Sequence, residues 1–258
     1  MGSIRTDIQH GIATLTIDNV AKRNAMNLQM WRDLKSSIQA LDQNSAARVI
    51  ILRGEGQEAF VSGADISEFD QLRHSPETVR IYDETVEDAE EALLLCKKPV
   101  IAAISGFCVG GGLGIMLACD LRYASRNSKF RMPAGRLGLG YGLPDVKRMQ
   151  SIVGIARATE MLFTAKVYDA NEAERIGLIH SSHDDVFAYA LDQARLISEN
   201  APLTLRAAKM GLQCLYGGPH APTAQDVSEA VMGCFTSKDY QEGRRAFAEK
   251  RTPAFKGH

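Results

Sequence analysis

The 258-residue sequence lacks the features that mark several specialised classes of protein. It has no apolar run of the length that spans a bilayer, and its N-terminus lacks the profile of a secretory signal. Its formal net charge is −1 and it contains no basic block, which argues against nucleic acid as a partner. We therefore expect a protein that acts on small molecules, with no nucleic acid or membrane partner.

Cysteine and histidine are sparse, and neither is arranged as a disulfide framework or a metal site. The five cysteines show no close paired spacing and several stand among apolar residues, as free thiols do in a reducing cytoplasm. The six histidines show no clustered ligand pattern. We expect a cytoplasmic location and no bound metal.

The glycine motifs of nucleotide-binding proteins are also absent. A cluster of three glycines, residues 110–112, follows a buried strand predicted over residues 100–104 and precedes a buried helix over residues 113–118. No lysine followed by serine or threonine comes after the cluster, and the third glycine and acidic residue of a dinucleotide fold are missing. The cluster is therefore not a nucleotide-binding loop.

A strand that ends in glycines and leads directly into a helix leaves backbone N–H groups unpaired. These groups bind an anion or a developing oxyanion at the helix N-terminus. Three adjacent glycines also allow a helix to pack tightly on a strand, and the sequence leaves both explanations open. An oxyanion site would need a second donor from elsewhere in the chain.

The order of predicted elements is that of an α/β protein. Residues 4–8 and 12–17 alternate apolar with polar side chains, as in a hairpin, and short strands alternate with helices up to about residue 145. Helical periodicity predominates after that point. We divide the chain into a core domain, residues 1–200, and a C-terminal helical region, residues 201–258.

Two loops contain residues suited to holding a ligand. The small residues at 62–64 would let a ligand lie close to the backbone, and Asp65 is placed to begin a helix, although an ordinary strand-to-helix turn has the same composition. Lys22 and Arg23 are candidates for contacts with a ligand phosphate. Solvated loop charges are the simpler explanation of that pair.

Side chains able to transfer a proton occur in two later segments. A helix predicted over residues 76–96 carries an acidic series that we expect to form a solvated face, although one of its carboxylates or Tyr82 could enter a pocket. The series consists of Asp83, Glu84, Glu87, Asp88, Glu90 and Glu91. The glycine-rich loop at 133–145 contains Tyr141 and ends in Asp145, where a helix begins. Packing and helix-dipole contacts are their ordinary roles, and catalysis is the alternative.

Four segments in this order resemble the enoyl-CoA hydratase/isomerase (crotonase) superfamily. They are the glycine cluster, the bend at residues 62–66, the loop at 133–145 and the end at 240–251. The resemblance extends from the first hairpin to the last residues. It implies a spiral of β-β-α units followed by a helical C-terminal region that forms a homotrimer or a dimer of trimers.

The resemblance also implies an acyl-CoA site. The backbone N–H groups of Ala64 and Gly111 match the oxyanion hole that binds the thioester carbonyl, which supplies the missing second donor. CoA would enter only as part of the thioester substrate, so no separate cofactor is expected. Contacts with the substrate are implied for Lys22, Arg23, Ala25, Ser62, Gly63, Asp65, Ile66, Met132, Leu139, Phe247 and Lys250.

Two departures from the family pattern affect the chemistry. Hydratases of the superfamily carry glutamates at the positions of Gly114 and Ala134, and losing a positioned acid or base costs about 10²–10⁴-fold in rate. The remaining pocket would be poor in charge and would favour loss of CO₂ from a malonyl-type thioester. Residues 137–141 and 239–258 are similar to methylmalonyl-CoA decarboxylases, although Ala64 and Pro133 replace a histidine and a threonine of those enzymes.

The sequence therefore favours decarboxylase-like chemistry through an enolate, with Tyr141 orienting the substrate or donating a hydrogen bond. The second interpretation is a hydratase or isomerase whose base has moved to Asp145, Tyr141 or the acidic helix. A third is a protein that binds acyl-CoA without catalysis, and a fourth is an assembly subunit that has lost the CoA site.

Overall fold

The computed structural model describes residues 2–69 and 74–258, which form strands and helices in close alternation. The strands are β1 Ser3–Gln9, β2 Ile12–Asp18, β3 Val49–Gly54, β4 Ala59–Val61, β5 Val100–Ile104, β6 Phe107–Val109, β7 Leu121–Ser125, β8 Lys129–Arg131, β9 Tyr168–Asp169 and β10 Ser181–His183. The helices are α1 Leu28–Gln43, α2 Pro76–Leu95, α3 Gly111–Ala118, α4 Ala134–Leu137, α5 Leu143–Thr164, α6 Ala170–Arg175, α7 Val186–Ser198, α8 Pro202–Tyr216, α9 Ala224–Thr236 and α10 Lys238–Glu249.

From β3 to β8, successive strands alternate between two sheets. The larger sheet has the order β1-β2-β3-β5-β7-β10, and the smaller has the order β4-β6-β8-β9. Strands β3, β5 and β7 lie parallel in the larger sheet, and the strand that follows each of them lies parallel in the smaller sheet. Helices α2 and α3 connect one strand pair to the next. This is the spiral of β-β-α units that the resemblance implied, and the α/β fold class is confirmed.

The larger sheet is covered on both faces, which explains its continuous apolar strands. In β3, Val49 and Ile51 belong to a cluster with residues of α7, whereas Ile50 and Leu52 belong to the main core. Side chains of a strand alternate between faces, so both sets must be apolar when both faces are buried.

Helix α1 begins and packs as its sequence predicts. The side chain of Asn27 accepts a hydrogen bond from Met30 N, which satisfies one amide of the first turn. The buried face carries residues at helical spacing, including Trp31 and Leu34. This face places the Trp31 ring beneath the glycine cluster.

Two short strands interrupt the helices that predominate after residue 145, and the sequence did not predict their pairing. Tyr168–Asp169 pairs with β8 and Ser181–His183 pairs with β7, so each segment extends an edge of one sheet. Strands of two or three residues leave almost no periodicity in a sequence, and their pairing depends on residues far away. Helix α5 is also kinked at Gly154, where φ is +73°.

Helices α8 to α10 form the C-terminal region and leave apolar side chains exposed, among them Leu215, Phe235 and Phe247. The region is tied to the rest of the chain by Lys209, whose Nζ donates to Asp120 Oδ2 at 2.7 Å. The division at residue 200 and the role of these helices in trimer formation remain predictions. No helix of the described residues combines the length and apolarity needed to cross a bilayer.

Candidate active site

The first bend of the site follows strand β4 and is held against the loop that precedes α1. Met26 N donates a hydrogen bond to Gly63 O, and Asp65 N donates one to Met26 O, both at 2.8 Å. In such a parallel bridge the amide of the residue between, Ala64, faces away from the partner strand. Within the described residues this amide donates no hydrogen bond, and Ala64 lines a cavity.

The second bend joins β6 to α3. Gly110 has a φ of +54°, in the left-handed region that favours glycine, and the helix begins at Gly111. The first amides of a helix have no partner within the helix, so the Gly111 N–H is open to a ligand. A Cβ on Gly110 would lie 3.8 Å from the Cα of Gly63, which shows that the two bends touch.

The glycine cluster also provides the close packing that was its other explanation. A Cβ on Gly112 would overlap the carbonyl oxygen of Val61, and a Cβ on Gly111 would lie 2.9 Å from the ring of Trp31. Packing therefore favours glycine at both positions. Because the amide of Gly111 is open, ligand binding remains a proposal in addition to close packing.

A cavity of about 260 Å³ opens over both bends. Helices α1 and α2, the two bends and the loop before α5 form its wall. The predicted site residues that line it are Ser62, Gly63, Ala64, Ile66, Gly111, Met132, Leu139, Tyr141 and Asp145. The fold thus brings three segments that are distant in sequence to one cavity.

The two candidate catalytic side chains of the 133–145 loop both face this cavity. Tyr141 Oη accepts a hydrogen bond from Ala134 N at 3.0 Å, which leaves its own hydrogen free to be donated. Burial raises the pKa of Tyr141, so the phenol stays neutral. Asp145 lies in the first turn of α5, as predicted, and its Oδ1 accepts a hydrogen bond from Arg148 Nη2 at 2.6 Å.

Glu90 and Arg148, neither of which the sequence singled out, form a buried hydrogen-bonded pair in the cavity wall. Glu90 Oε2 accepts a hydrogen bond from Arg148 Nη2, and the two side chains are 3% and 4% exposed. The expectation of a solvated acidic face is therefore wrong at Glu90, because α2 turns this residue inward. Other members of the series are exposed, as predicted; these are Asp83, Glu84, Glu87 and Asp88.

A signal for this burial exists in the sequence. The buried residues Tyr82, Ala89 and Leu93 follow one side of α2 at helical spacing, and Glu90 lies eight residues after Tyr82 on the same side. The acidic composition of the helix, taken alone, predicted instead that Glu90 would face solvent. For Arg148, helical spacing in α5 gives no comparable indication that the side chain is buried.

The electrostatics of the cavity follow from this pair. Burial raises the pKa of Glu90 to about 8, against the positive charge of Arg148, and the nearby Asp145 and Glu87 raise it further. The guanidinium of Arg148 thus faces two carboxyl groups, those of Glu90 and Asp145. Of these two, the buried Glu90 keeps its proton. The expected pocket poor in charge is therefore wrong, since these four residues and Asp83 line the cavity.

Four of the predicted CoA contacts lie beside the cavity. Lys22 Nζ donates a hydrogen bond to Asp65 Oδ2 at 2.6 Å, and the Lys22 and Arg23 side chains are largely exposed. Burial alone would raise the pKa of Asp65, but hydrogen bonds from Lys22 and Ser67 outweigh it and hold that pKa below its usual value. Ala25 is buried in the same loop.

The last two predicted contacts lie elsewhere in the chain. Phe247 is 88% exposed on α10 and lines a separate apolar groove between the C-terminal helices. Lys250 caps the C-terminus of that helix in a left-handed conformation and is exposed. Within one chain, neither residue reaches the cavity.

The sequence of the chain is similar to those of known enzymes along almost its whole length. Residues 7–258 match the family model described as enoyl-CoA hydratase/isomerase. The chain is 33% identical to the short-chain-enoyl-CoA hydratase of Clostridium acetobutylicum, over 93% of this chain and 92% of that protein. It is 32% identical to the crotonyl-CoA hydratase of Syntrophomonas wolfei, over 95% and 94%.

A solved structure gives the same result. The crystal structure of an enoyl-CoA hydratase/carnithine racemase from Magnetospirillum magneticum superposes with a TM-score of 0.93 and 34% identity, and the match covers 99% of this chain and 96% of that one. Fold and sequence agree along almost the whole length. The chain therefore belongs to the enoyl-CoA hydratase/isomerase family.

Proposed function

We propose that this protein adds water across the double bond of a 2-enoyl-CoA thioester, through an enolate whose oxygen is bound by the amides of Ala64 and Gly111. The observation that carries the proposal is the pair of touching bends, each with an open amide, over one cavity. Fixed N–H donors stabilise an oxygen most where negative charge develops in the transition state. The relatives named as hydratases support the same reaction.

Decarboxylation of a malonyl-type thioester, which the sequence favoured, has less support than hydration. Loss of CO₂ is helped by a dry, uncharged pocket that disfavours the substrate carboxylate. This cavity instead has carboxyl groups from Glu90 and Asp145 in its wall. Such groups suit proton transfer, which hydration requires and decarboxylation needs only after CO₂ has left.

Hydration needs one group that takes a proton from water and another that gives a proton to the thioester α-carbon. In our proposal Asp145, at the edge of the cavity, takes the proton from water. Tyr141 donates a hydrogen bond that orients the acyl group. The proton for the α-carbon comes from a second carboxyl group in the wall.

The remaining predicted residues bind CoA in this proposal. Lys22 and Arg23 approach the phosphates from the loop beside the cavity, next to Ala25 and Asp65. The pantetheine arm and acyl group contact Ser62, Gly63, Ile66, Met132 and Leu139. Phe247 and Lys250 contact CoA from a neighbouring subunit of a homotrimer or a dimer of trimers. No cofactor other than the CoA of the thioester is required.

The test incubates the purified protein with crotonyl-CoA and separates the products, with malonyl-CoA and methylmalonyl-CoA assayed in parallel for release of CO₂. Formation of 3-hydroxybutyryl-CoA is expected. Release of CO₂ without hydration would replace the proposal by decarboxylation. Tight binding of thioesters without any product would make the protein a binding protein, and failure to bind CoA in calorimetry would support an assembly role.

A further inference from the structure

Gly114 and Glu90 lie in direct contact, and the first makes room for the second. A Cβ on Gly114 would overlap Glu90 Oε1, and the carboxyl carbon of Glu90 would lie 2.9 Å from it. Helix α3 thus lacks a side chain at the point where helix α2 inserts a carboxyl group. This is one of the two positions at which the sequence pattern of the family left an acid unaccounted for.

The carboxyl group of Glu90 is close to the proposed oxyanion hole. Gly111 and Gly114 are three residues apart in α3, so they share a face and lie about 4.5 Å apart along the helix axis. All three residues line the cavity. The α-carbon of a thioester is bonded to the carbonyl carbon, so an oxygen held by Gly111 N–H brings the α-carbon towards Glu90.

Arg148 fixes the direction of this carboxyl group. A single nitrogen of its guanidinium, Nη2, donates to Glu90 Oε2 and to Asp145 Oδ1. Oε2 is therefore engaged by Arg148, while Oε1 is the atom that faces Gly114. An oxygen whose partner atom is anchored in this way is held in one orientation, which proton transfer to carbon requires.

We propose that Glu90 is the catalytic acid and base at the thioester α-carbon, supplied by α2 in place of a side chain at position 114, and that Arg148 is its positioning residue. This inference depends on the proposed acyl-CoA function, which it deepens. The carboxyl group of Glu90 gives its proton to the α-carbon of the enolate. The enolate electron pair forms the new C–H bond, the carbonyl is restored, and the carboxylate that remains is paired with Arg148.

The reverse step gives an assay that does not depend on the acyl product. Glu90 as a carboxylate takes the α-proton of a saturated thioester, and the C–H electron pair moves towards the oxygen bound by Ala64 and Gly111. Return of a deuteron from solvent then labels the α-carbon. Butyryl-CoA in D₂O is the probe, and mass spectrometry measures the label.

Glu90→Gln is expected to lower the rate of this exchange by about 10²–10⁴-fold, the range for a positioned acid or base. Glu84→Gln is the matched control, because it makes the same change on an exposed part of α2, where Glu84 pairs with the exposed Arg80. Retention of more than a tenth of the wild-type exchange rate in a folded Glu90→Gln variant would overturn the assignment.

A double variant covers the case in which Glu90→Gln does not fold. Glu90→Ala removes the carboxyl group that fills the space at position 114, and Gly114→Glu in the same chain returns a carboxyl group from α3. We expect the double variant to exchange at least tenfold faster than Glu90→Ala alone. Equal rates in the two variants would show that a carboxyl group at this place does not act on the α-carbon.

The pH profile separates catalysis from a structural role. Exchange needs the carboxylate, so kcat/KM should rise with pH and level off above about 8, where Glu90 is ionised. The groups that influence Glu90 are Arg148 and Asp145 from α5, Glu87 from α2 and Tyr216 from α8. The residual activity of Glu90→Gln should not show this rise with pH. If the rise persists in the variant, another group is responsible for it.

Failure of the two proposals can be distinguished. If wild-type protein hydrates crotonyl-CoA but Glu90→Gln does so equally well, the proposed function stands and the role of Glu90 is lost. If wild-type protein neither binds nor turns over CoA thioesters, the proposed function itself is lost.

Discussion

Glu90 and Arg148 are joined by a hydrogen bond across 58 positions of sequence, and both side chains are almost entirely buried. A buried charge that loses its only partner typically costs 3–5 kcal/mol, because nothing then compensates it. Here Asp145 also binds Arg148, so the guanidinium keeps one partner when Glu90 is replaced. We therefore expect replacement of Glu90 to cost less stability than the loss of a partner from an isolated buried pair.

The stability of the protein should depend on pH through Glu90. Its pKa is raised from 4.5 to about 8, mainly by burial, so the folded state holds one proton more than the unfolded state between these values. The free energy of unfolding should therefore fall as pH rises through this window, by at most ~1.4 kcal/mol per pH unit from this group. Urea denaturation of wild type and Glu90→Gln across the window measures the difference. Parallel pH profiles would show that the carboxyl group is already ionised in the fold.

Gly111→Pro should abolish turnover more than binding. Proline is tolerated at the first position of a helix but has no N–H, so one donor of the oxyanion hole is lost. We expect kcat to fall about 10²–10³-fold. Gly111→Ala is the control, since its Cβ presses on the Trp31 ring in the same way while the N–H is kept. Equal losses in both variants would attribute the effect to packing.

Tyr141→Phe tests the phenol alone. The change removes the acceptor of the Ala134 N–H and the donor proposed to orient the acyl group. We expect a decrease in kcat/KM of about tenfold with a loss of stability of about 1 kcal/mol. Steady-state kinetics on crotonyl-CoA, together with thermal unfolding, separate the two. A decrease below threefold would make Tyr141 a packing residue.

Lys22→Met should raise KM for the thioester severalfold without changing kcat. The ammonium group is half-exposed and held by Asp65 beside the cavity, a position suited to a phosphate. Lys35→Met serves as the control, because Lys35 also pairs with an aspartate, Asp88, outside the site. The KM effect should weaken as salt is added, since exposed charges are screened. Equal KM values for the two variants would place the phosphates elsewhere.

Much of the architecture was legible in the sequence because it depends on local signals. Helix α1, with its cap at Asn27, and the hairpin of β1 and β2 follow from periodicity and capping. The short strands β9 and β10 were missed because they exist only by pairing with β8 and β7. Such pairing is decided by the rest of the fold.

The site was predicted unevenly for a similar reason. Small residues and glycines marked the two bends, and the resemblance to the family implied that the amides of Ala64 and Gly111 form an oxyanion hole there. Helical spacing places Glu90 on the inner side of α2, but its contact with Gly114, a residue of another helix, is visible only in the fold. The sequence showed an absent acid at 114 and an acidic helix, but only the packing of α2 on α3 connects them.

Strands β4 and β6, which end at the two bends, are neighbours in the smaller sheet. Adjacent strands keep a separation of about 4.8 Å, so backbone pairing sets how far apart the two bends begin. The acid that serves this anchor is free of that constraint. If the proposed roles hold, a proton donor can be supplied from a different helix without moving the site that binds the thioester.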